Sequence, residues 1–525
     1  MEKVILTIDC GTQSLRVLVF SPEGELLEKV KSEYEPYFSL KPGWAEQDPE
    51  IFWNSLCKAC NSIRAKNPFL FSKIAGVGIT AQRDSMINVD GKGRPLRPAI
   101  IWLDQRKAQR VYYPKGLMKL IYLIVGMDET ITKAQVHGKC NWIKQNQPLI
   151  WQKTYKYLQV SGFLNFMLTG IFTDSTASQI GHIPFDYKKQ GWSPKSHINT
   201  LTFPVEREKL VELVKPGETV GKVTGKASAE TAIPEGIPVI ACGSDKGCET
   251  IGMGVINEEM ASLSFGTTAT VQTTTGRYFE PIRFMPAYPA PIPGHYNPEV
   301  EIFRGYWMIT WFKNEFGQNE VIEAGKTGVP PEEMLNRLLT KVPPGSMGLV
   351  VQPYWAPGLK NPSAKGAIIG FGDVHKRFGD VHKRAHVYRA VIEGLAYALL
   401  DGLHKIEKVG KCKVLKIAIS GGASKSDVIC QISADIFGLP LVRGRTHETA
   451  GLGAAIVTAC GLSMYPSFET AIEKMVKYDS VFEPDPENVE IYRSIYKKVY
   501  QKMYRSLSPL YKELREITGY PERID

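Results

Sequence analysis

The stretch VILTIDCGTQSLRVLVF, residues 4–20, reads as two strands folded back on each other. Val4, Leu6 and Ile8 alternate with Ile5, Thr7 and Asp9. Leu15 to Phe20 forms a second, mostly apolar run, and the intervening turn carries Gly11, Thr12 and Gln13. Ser21-Pro22-Glu23-Gly24-Glu25 marks the next turn and Leu26 to Val30 the next strand, so the chain opens on a meander. Met260 to Thr275 repeats the scheme: a strand, the turn Phe265-Gly266-Thr267-Thr268, and a second strand. Two such hairpins in 525 residues, a length too great for one compact core, predict two domains of related design with a boundary near residue 250.

Working outward, helical periodicity covers 49–65, and Ile74 to Thr80 is a short apolar strand ending at Gln82-Arg83-Asp84. Pro98 to Trp102 is another apolar run, ending near Asp104. Ile237 to Ser244 is a buried strand closed by an acid, Asp245. Ile417 to Ala423 is a strand entering a Gly421-Gly422 turn, with a helix from about Ser426 to Phe437. The 3/4 spacing of Val489, Tyr492, Ile495, Tyr496, Val499, Tyr500, Met503 and Leu507 predicts an amphipathic helix over 487–517 that packs on the second domain. Alternating strands and helices of this kind indicate α/β architecture. One feature is local: Phe371 to Arg377 is followed at once by an identical copy, Phe378 to Arg384, expected to loop out.

The composition is that of an ordinary globular protein, 43% apolar and 22% charged. The net charge of +10 is scattered in short blocks, which reads as a solvated surface and not as a nucleic-acid site. No apolar run approaches the ~18 residues of a membrane span. Nine cysteines are dispersed; Cys57 and Cys60 have CxxC spacing without a second pair, which favours plain thiols in a reducing cytoplasm.

The chemistry that these segments suit is phosphoryl transfer. A triphosphate needs backbone amides and hydroxyls around it, an acid for Mg²⁺, and a second acid to take the proton of the attacking hydroxyl. No Walker-type GxxxxGK[ST] motif occurs. Gly11 and Gly266 permit tight turns, Thr12 and Thr267 add hydroxyl donors, and Arg16 adds positive charge. Asp9 stands ready for a metal. Asp245 has two readings, a cleft acid at the end of a buried strand or a helix N-cap. Gln82, Arg83, Asp84 and Asp104 could grip a polyhydroxylated substrate, or Arg83 could form a structural ion pair with Asp84 or Asp104. The Gly421-Gly422-Ala423 turn suits a nucleotide or is a plain strand-to-helix connection.

In their order, Ile8 to Thr12, Gly43-Trp44-Ala45-Glu46-Gln47-Asp48-Pro49, Arg94 to Trp102 with Asp104 and Arg106, Gly243-Ser244-Asp245, Ser264 to Thr268, Arg389 to Gly394, Gly421-Gly422-Ala423 and Gly438-Leu439-Pro440 resemble the FGGY carbohydrate kinase family, xylulokinases and glycerol kinases included. The resemblance implies a two-domain actin/hexokinase/Hsp70-like ATPase fold, with ribonuclease H-like domains and an interdomain cleft. It implies an N-terminal domain over 1–250 that binds sugar and a C-terminal domain over 251–525 that binds nucleotide. ATP and Mg²⁺ are the implied cofactors. Asp245 is implied as catalytic base and, with Asp9, as metal-associated acid. Gln82, Arg83, Asp84 and Asp104 are implied at the substrate. Thr12, Gln13, Arg16, Gly266, Thr267, Gly305, Gly421, Gly422, Ala423 and Ser426 are implied at the nucleotide. The expected partner is a small sugar or polyol, with a homodimer as the assembly to look for and neither nucleic acid nor membrane.

The sequence departs from the xylulokinase pattern at Arg83-Asp84, where a Met-His pair is usual. That points toward glycerol kinases, while Leu96 to Ile100 and Gln352-Pro353-Tyr354 point back to sugar kinases. A ketose such as xylulose is the leading substrate and glycerol the runner-up. An actin-like or chaperone-type ATPase, or an inactive sugar sensor, is the alternative of another class.

Overall fold

The computed structural model describes residues 3–125, 127–355, 364–372 and 382–520. Most of the tandem copy, 373–381, therefore lies outside the described residues. The chain divides into two compact units. The first comprises Met1–Ile256, Thr274–Asn297 and Glu448–Lys477; the second comprises Asn257–Thr273, Pro298–His447 and Tyr478–Asp525.

The first unit is built on a six-stranded sheet in the order Thr219–Lys222, Pro238–Ser244, Ile74–Ala81, Val4–Cys10, Ser14–Phe20, Leu26–Glu33. The last three strands form the expected antiparallel meander, and Val4–Cys10, Ile74–Ala81 and Pro238–Ser244 run parallel. Every residue of Val4–Cys10 is buried, as a central strand covered on both faces requires. Its alternation sends Val4, Leu6 and Ile8 into one core with Phe52, Leu56 and Ile63 of the helix Glu50–Lys66. Ile5 faces the other core with Leu452, Ala455 and Ile456 of the helix Thr449–Gly461. The edge strand Leu26–Glu33 alternates half-buried and exposed residues, so only one side is covered.

The return of 448–477 to the first unit, which a single cut near residue 250 does not describe, has a packing cause. The helices Asp245–Gly252 and Thr449–Gly461 touch backbone to backbone. A Cβ on Gly453 would lie 1.8 Å from the Cys248 carbonyl oxygen, and one on Gly252 would lie 1.9 Å from that of Thr449. A side chain at either point would force the helices apart.

The second unit repeats the plan. Its sheet runs Glu299–Ile302, Ala269–Gln272, Met260–Phe265, Lys416–Ser420, Leu441–Gly444, Tyr478–Phe482. The first three strands form an antiparallel meander, the middle three are parallel, and the edge is antiparallel. The long helix Arg384–Gly410 lies on this sheet with Gly402 against Val271 and Val300. The carboxy-terminal helix is Pro486–Ile495 and Gln501–Thr518, joined through a π-helical turn at Tyr496–Tyr500. It packs on the second unit through Tyr492, whose hydroxyl donates to Glu393 Oε1 over 2.9 Å. Among the described residues, no helix is long and apolar enough to cross a membrane.

Candidate active site

In the first unit, the ends of three strands carry the polar residues picked out above. Asp9 and Arg16 are cross-strand partners in the hairpin, and Arg16 Nη1 donates to Asp9 Oδ2 over 2.7 Å. Glu448 stands 3.6 Å from Arg16 Nε and also accepts from Lys29 Nζ. Burial pushes Asp9 up to about 6; Arg16 counteracts this, while the charges of Asp245 and Glu448 add to it. The turn closes through Gly11 N–H to the Ser14 carbonyl, with Gln13 exposed at its tip.

Thr12 is the hub of this corner. Its hydroxyl donates to Gln82 Oε1 over 3.0 Å and accepts from Trp102 Nε1 over 2.9 Å; its carbonyl accepts from Gln47 Nε2 over 2.8 Å. Gln82 follows the parallel strand Ile74–Ala81, which sets it beside the Gly-Thr turn. Arg83 comes next, with Nε 3.9 Å from Asp245 Oδ1 and its guanidinium carbon 5.2 Å from the centre of the Tyr288 ring.

Asp245 is the first residue of the helix Asp245–Gly252, and Ser244 caps that helix by accepting from Gly247 N–H. The cap reading of Asp245 thus falls, leaving its carboxylate beside Arg83. Its side chain is one-third exposed (33%), yet dense protein around it raises its pKa above the usual carboxylate range, opposed by Arg83 and Lys246.

Asp84 sits at φ 51 and accepts three hydrogen bonds. Lys139 Nζ lies 2.6 Å and His182 Nδ1 2.8 Å from Oδ2, and His182 N–H donates to Oδ1 over 3.0 Å. Burial alone would raise its pKa, but Lys139 and His182 outweigh burial and hold it well below the ordinary value. Gly181 is obligatory here, because a Cβ would meet Asp84 Oδ1 at 2.4 Å.

Asp104 corrects the expectation of a substrate contact. Its side chain is 2% exposed, Arg106 forks onto both of its oxygens at 2.7 Å, and Ala45 N–H donates to Oδ2. Arg106 lies over the rings of both Trp44 and Trp142, at 4.0 and 4.6 Å, and reaches Glu46, which also pairs with Arg97. This buried lattice engages both oxygens of Asp104 and does not present them to a ligand. Cys57 and Cys60 are unlinked thiols, with burial raising both pKa values. Among the described residues, no three His, Cys, Asp or Glu groups converge as a metal cage.

In the second unit the glycine positions come together. Gly421 has φ 90, and a Cβ there would meet the Phe265 carbonyl carbon at 2.6 Å. Gly305 lies against the other side of the hairpin, where a Cβ would be 2.3 Å from Ala269 N. Tyr306 N–H donates to the Gly266 carbonyl, and its ring stacks on Phe265 at 4.2 Å. The Gly266-Thr267 turn is thus held between Gly305 and Gly421. Gly422 and Ala423 begin a 3₁₀ turn, and Ser426 caps the helix Asp427–Phe437. Around Gly422 a Cβ would meet nothing within 4 Å.

Gln47, Trp102, Lys139, His182 and Glu448 complete the first unit's cluster, yet the sequence marks none of them as a site residue. Gln47 and Trp102 lie inside motifs quoted above, whereas His182 and Glu448 reach the cluster only through the fold.

The N-terminal domain of the FGGY family of carbohydrate kinases matches residues 4–252, and its C-terminal domain matches 261–462. The chain is similar to the uncharacterized sugar kinase YgcE of Escherichia coli K12, 28% identical over 94% of this chain and 91% of that protein. It is also similar to xylulose kinase of Lactococcus lactis, 27% identical over 94% of each, and to glycerol kinase of Thermococcus gammatolerans, 27% identical over 92% and 94%. Among solved structures, gluconate kinase from Lactobacillus acidophilus shares the fold, with a TM-score of 0.81 at 21% identity over 98% of this chain and all of that one. With both domain matches in order along most of its length, the chain belongs to the FGGY family of carbohydrate kinases, enzymes that are phosphotransferases.

Proposed function

We propose that this kinase transfers the γ-phosphoryl group of ATP to a hydroxyl of a small sugar, with a ketose such as xylulose as the first candidate. The observation that carries this reading is Asp245: a carboxylate at a strand end, partly exposed, beside Arg83, with its pKa raised. A raised pKa makes it a better acceptor for the hydroxyl proton as oxygen attacks phosphorus. Arg83 holds the carboxylate in position and Gln82 orients the acceptor beside Thr12. In the second unit, the Gly266-Thr267 turn and the Gly421-Gly422-Ala423 turn offer backbone close to an anion, suited to the nucleotide. Thr12, Gln13 and Arg16 would serve the phosphates from the first hairpin.

The residues also suit Mg²⁺. The charges of Asp245 and Glu448 add to the burial that raises the Asp9 pKa, and a divalent cation relieves such repulsion. Asp9 would hold it together with water and phosphate oxygens, as this ion prefers. When bound, it would neutralise phosphate charge.

A panel of sugars and polyols assayed by ADP release tests the reading. Saturable turnover on a sugar is expected. Glycerol is the second reading, favoured by Arg83-Asp84; turnover on glycerol and on no sugar would reverse the order. ATP hydrolysis with no phosphorylated acceptor would overturn both.

A further inference from the structure

Asp174 is a buried carboxylate, 1% exposed, that the site described above does not use. Its donors are all neutral. Ser161 Oγ and Gln179 Nε2 donate to Oδ2, each over 2.7 Å. Asn165 Nδ2 and Ser175 N–H donate to Oδ1 over 3.0 and 2.8 Å. Burial pushes its pKa up to about 6, and these hydrogen bonds act against that rise. Burying an acid among neutral groups is unfavourable in itself. What it supplies here is acceptor capacity. A carboxylate carries about four lone-pair sites and no donor, where an amide has a single acceptor oxygen.

Ser161 and Asn165 lie on the helix Val160–Thr169, while Ser175 and Gln179 belong to the strand Thr173–Ser175 and the turn after it. Asp174 therefore clamps that strand and turn to the helix. The clamped stretch reaches two acids of the acceptor corner. At its start, Ser175 Oγ donates to the carbonyl of Cys242, on the strand that ends just before Asp245. At its far end, the Ile180 carbonyl accepts from Asp84 N–H over 3.1 Å and from Gln159 Nε2 over 3.0 Å. His182 N–H donates to Asp84 Oδ1, and Gly181 packs against the same carboxylate.

We propose, resting on the kinase reading above, that Asp174 is a positioning residue for the acceptor. Through Ser175 and Gln179 it fixes the spacing between Asp84 and Asp245, and so where the acceptor hydroxyl lies relative to the base. Reaction geometry is sensitive to such spacing: a misplacement of about 1 Å from a change far from the chemistry can cost about a hundredfold.

Two variants supply the test. Asp174→Asn leaves one acceptor oxygen for the same donors. Gln179→Leu cuts only the link to the turn and keeps an apolar side chain of similar size, so it stays informative if Asp174→Asn does not fold. Kinetics are read with ATP and with the acceptor that the panel above selects, D-xylulose first. In both variants kcat/KM for the acceptor should fall about 10- to 100-fold, while KM for ATP stays within about twofold. Deuterium exchange of the nucleotide-free protein reads the link directly. The amides of Asp84 and His182 should exchange faster in both variants, while those of Met260–Phe265 keep their wild-type rates. Unchanged exchange at Asp84 and His182, or an unchanged kcat/KM for the acceptor in both variants, would overturn the inference. So would a matching rise in KM for ATP or faster exchange throughout the chain, since either marks a merely structural role. If the wild type phosphorylates no acceptor, the kinase reading falls on its own; faster exchange confined to Asp84 and His182 then keeps the clamp, and unchanged exchange removes it.

Discussion

The two sheets share one strand plan and differ in what stands at corresponding positions. Asp9 faces Arg16 across the first hairpin; in the second, Ser264 faces Thr270. The first parallel strand of one unit runs into Gln82-Arg83-Asp84, and that of the other into Gly421-Gly422-Ala423. The second parallel strand ends at Ser244, just before Asp245, in one unit and at Gly444 in the other. Charge and amide groups therefore gather on the first unit, and hydroxyls and bare backbone on the second. The backbone plan supplies equivalent strand ends; the side chains there decide whether an end carries charged groups or bare backbone.

The sharpest way to break this contrast is Asp245→Asn. Turnover should fall on the order of a thousandfold or more while acceptor binding persists, because base and local electrostatics are lost together. Near-normal kcat in that variant would take proton chemistry away from the first unit.

A buried acid of the second unit, Glu393, tests the reverse. It accepts from Arg389 Nε, Gly345 N–H, Ser346 and Tyr492, tying the long helix to the carboxy-terminal one. Glu393→Gln should cost about 3 kcal/mol of stability, since Arg389 is left buried without a full counter-charge. Chemical denaturation would measure this, and kcat should change little in the folded fraction.

Glycine substitutions sharpen the second unit's side. Gly421→Ala adds a Cβ against Phe265 at φ 90 and should destabilise by about 1–3 kcal/mol. Gly422→Ala, with open space around it, should leave Tm within about a degree. Equal losses in the two would deny that close backbone approach shapes this turn.

The smallest effect concerns pH. Asp9 titrates near 6 in the folded protein, above its unfolded value of 3.8, so the folded state binds the extra proton between these values. Its contribution to stability is fully present below the lower value and is lost as pH rises through about 6. Asp9→Asn should flatten the stability profile between pH 4 and 6. For the wild type, Mg²⁺-dependent activity should decline as pH falls through 6, because a protonated Asp9 binds a cation poorly. An unchanged profile in Asp9→Asn would place the titration elsewhere.

Period-2 alternation made Val4–Cys10 legible as a strand and put Asp9 near its end, the repeated strand–Gly-Thr–strand scheme did the same for Met260–Phe265, and a continuous apolar run placed Asp245 at the end of another strand. The glycine turns were legible from their Gly-Thr and Gly-Gly pairs, and at Gly421, with φ 90, few other residues tolerate the conformation. His182 and Glu448 were not, for each reaches its partner from far along the chain, and neither carries a local pattern. Asp104 reads as a ligand group by type and by its neighbours, yet its carboxylate is spent on Arg106.

Sequence alone determined the two repeated hairpins, the α/β class and the ordered motifs of a carbohydrate kinase, because those depend on residue spacing along a strand, turn or helix. Tertiary structure alone decided which acids remain available and which are neutralised, and which unit claims 448–477. Availability depends on what distant segments bring within hydrogen-bonding reach, and no local pattern encodes that distance.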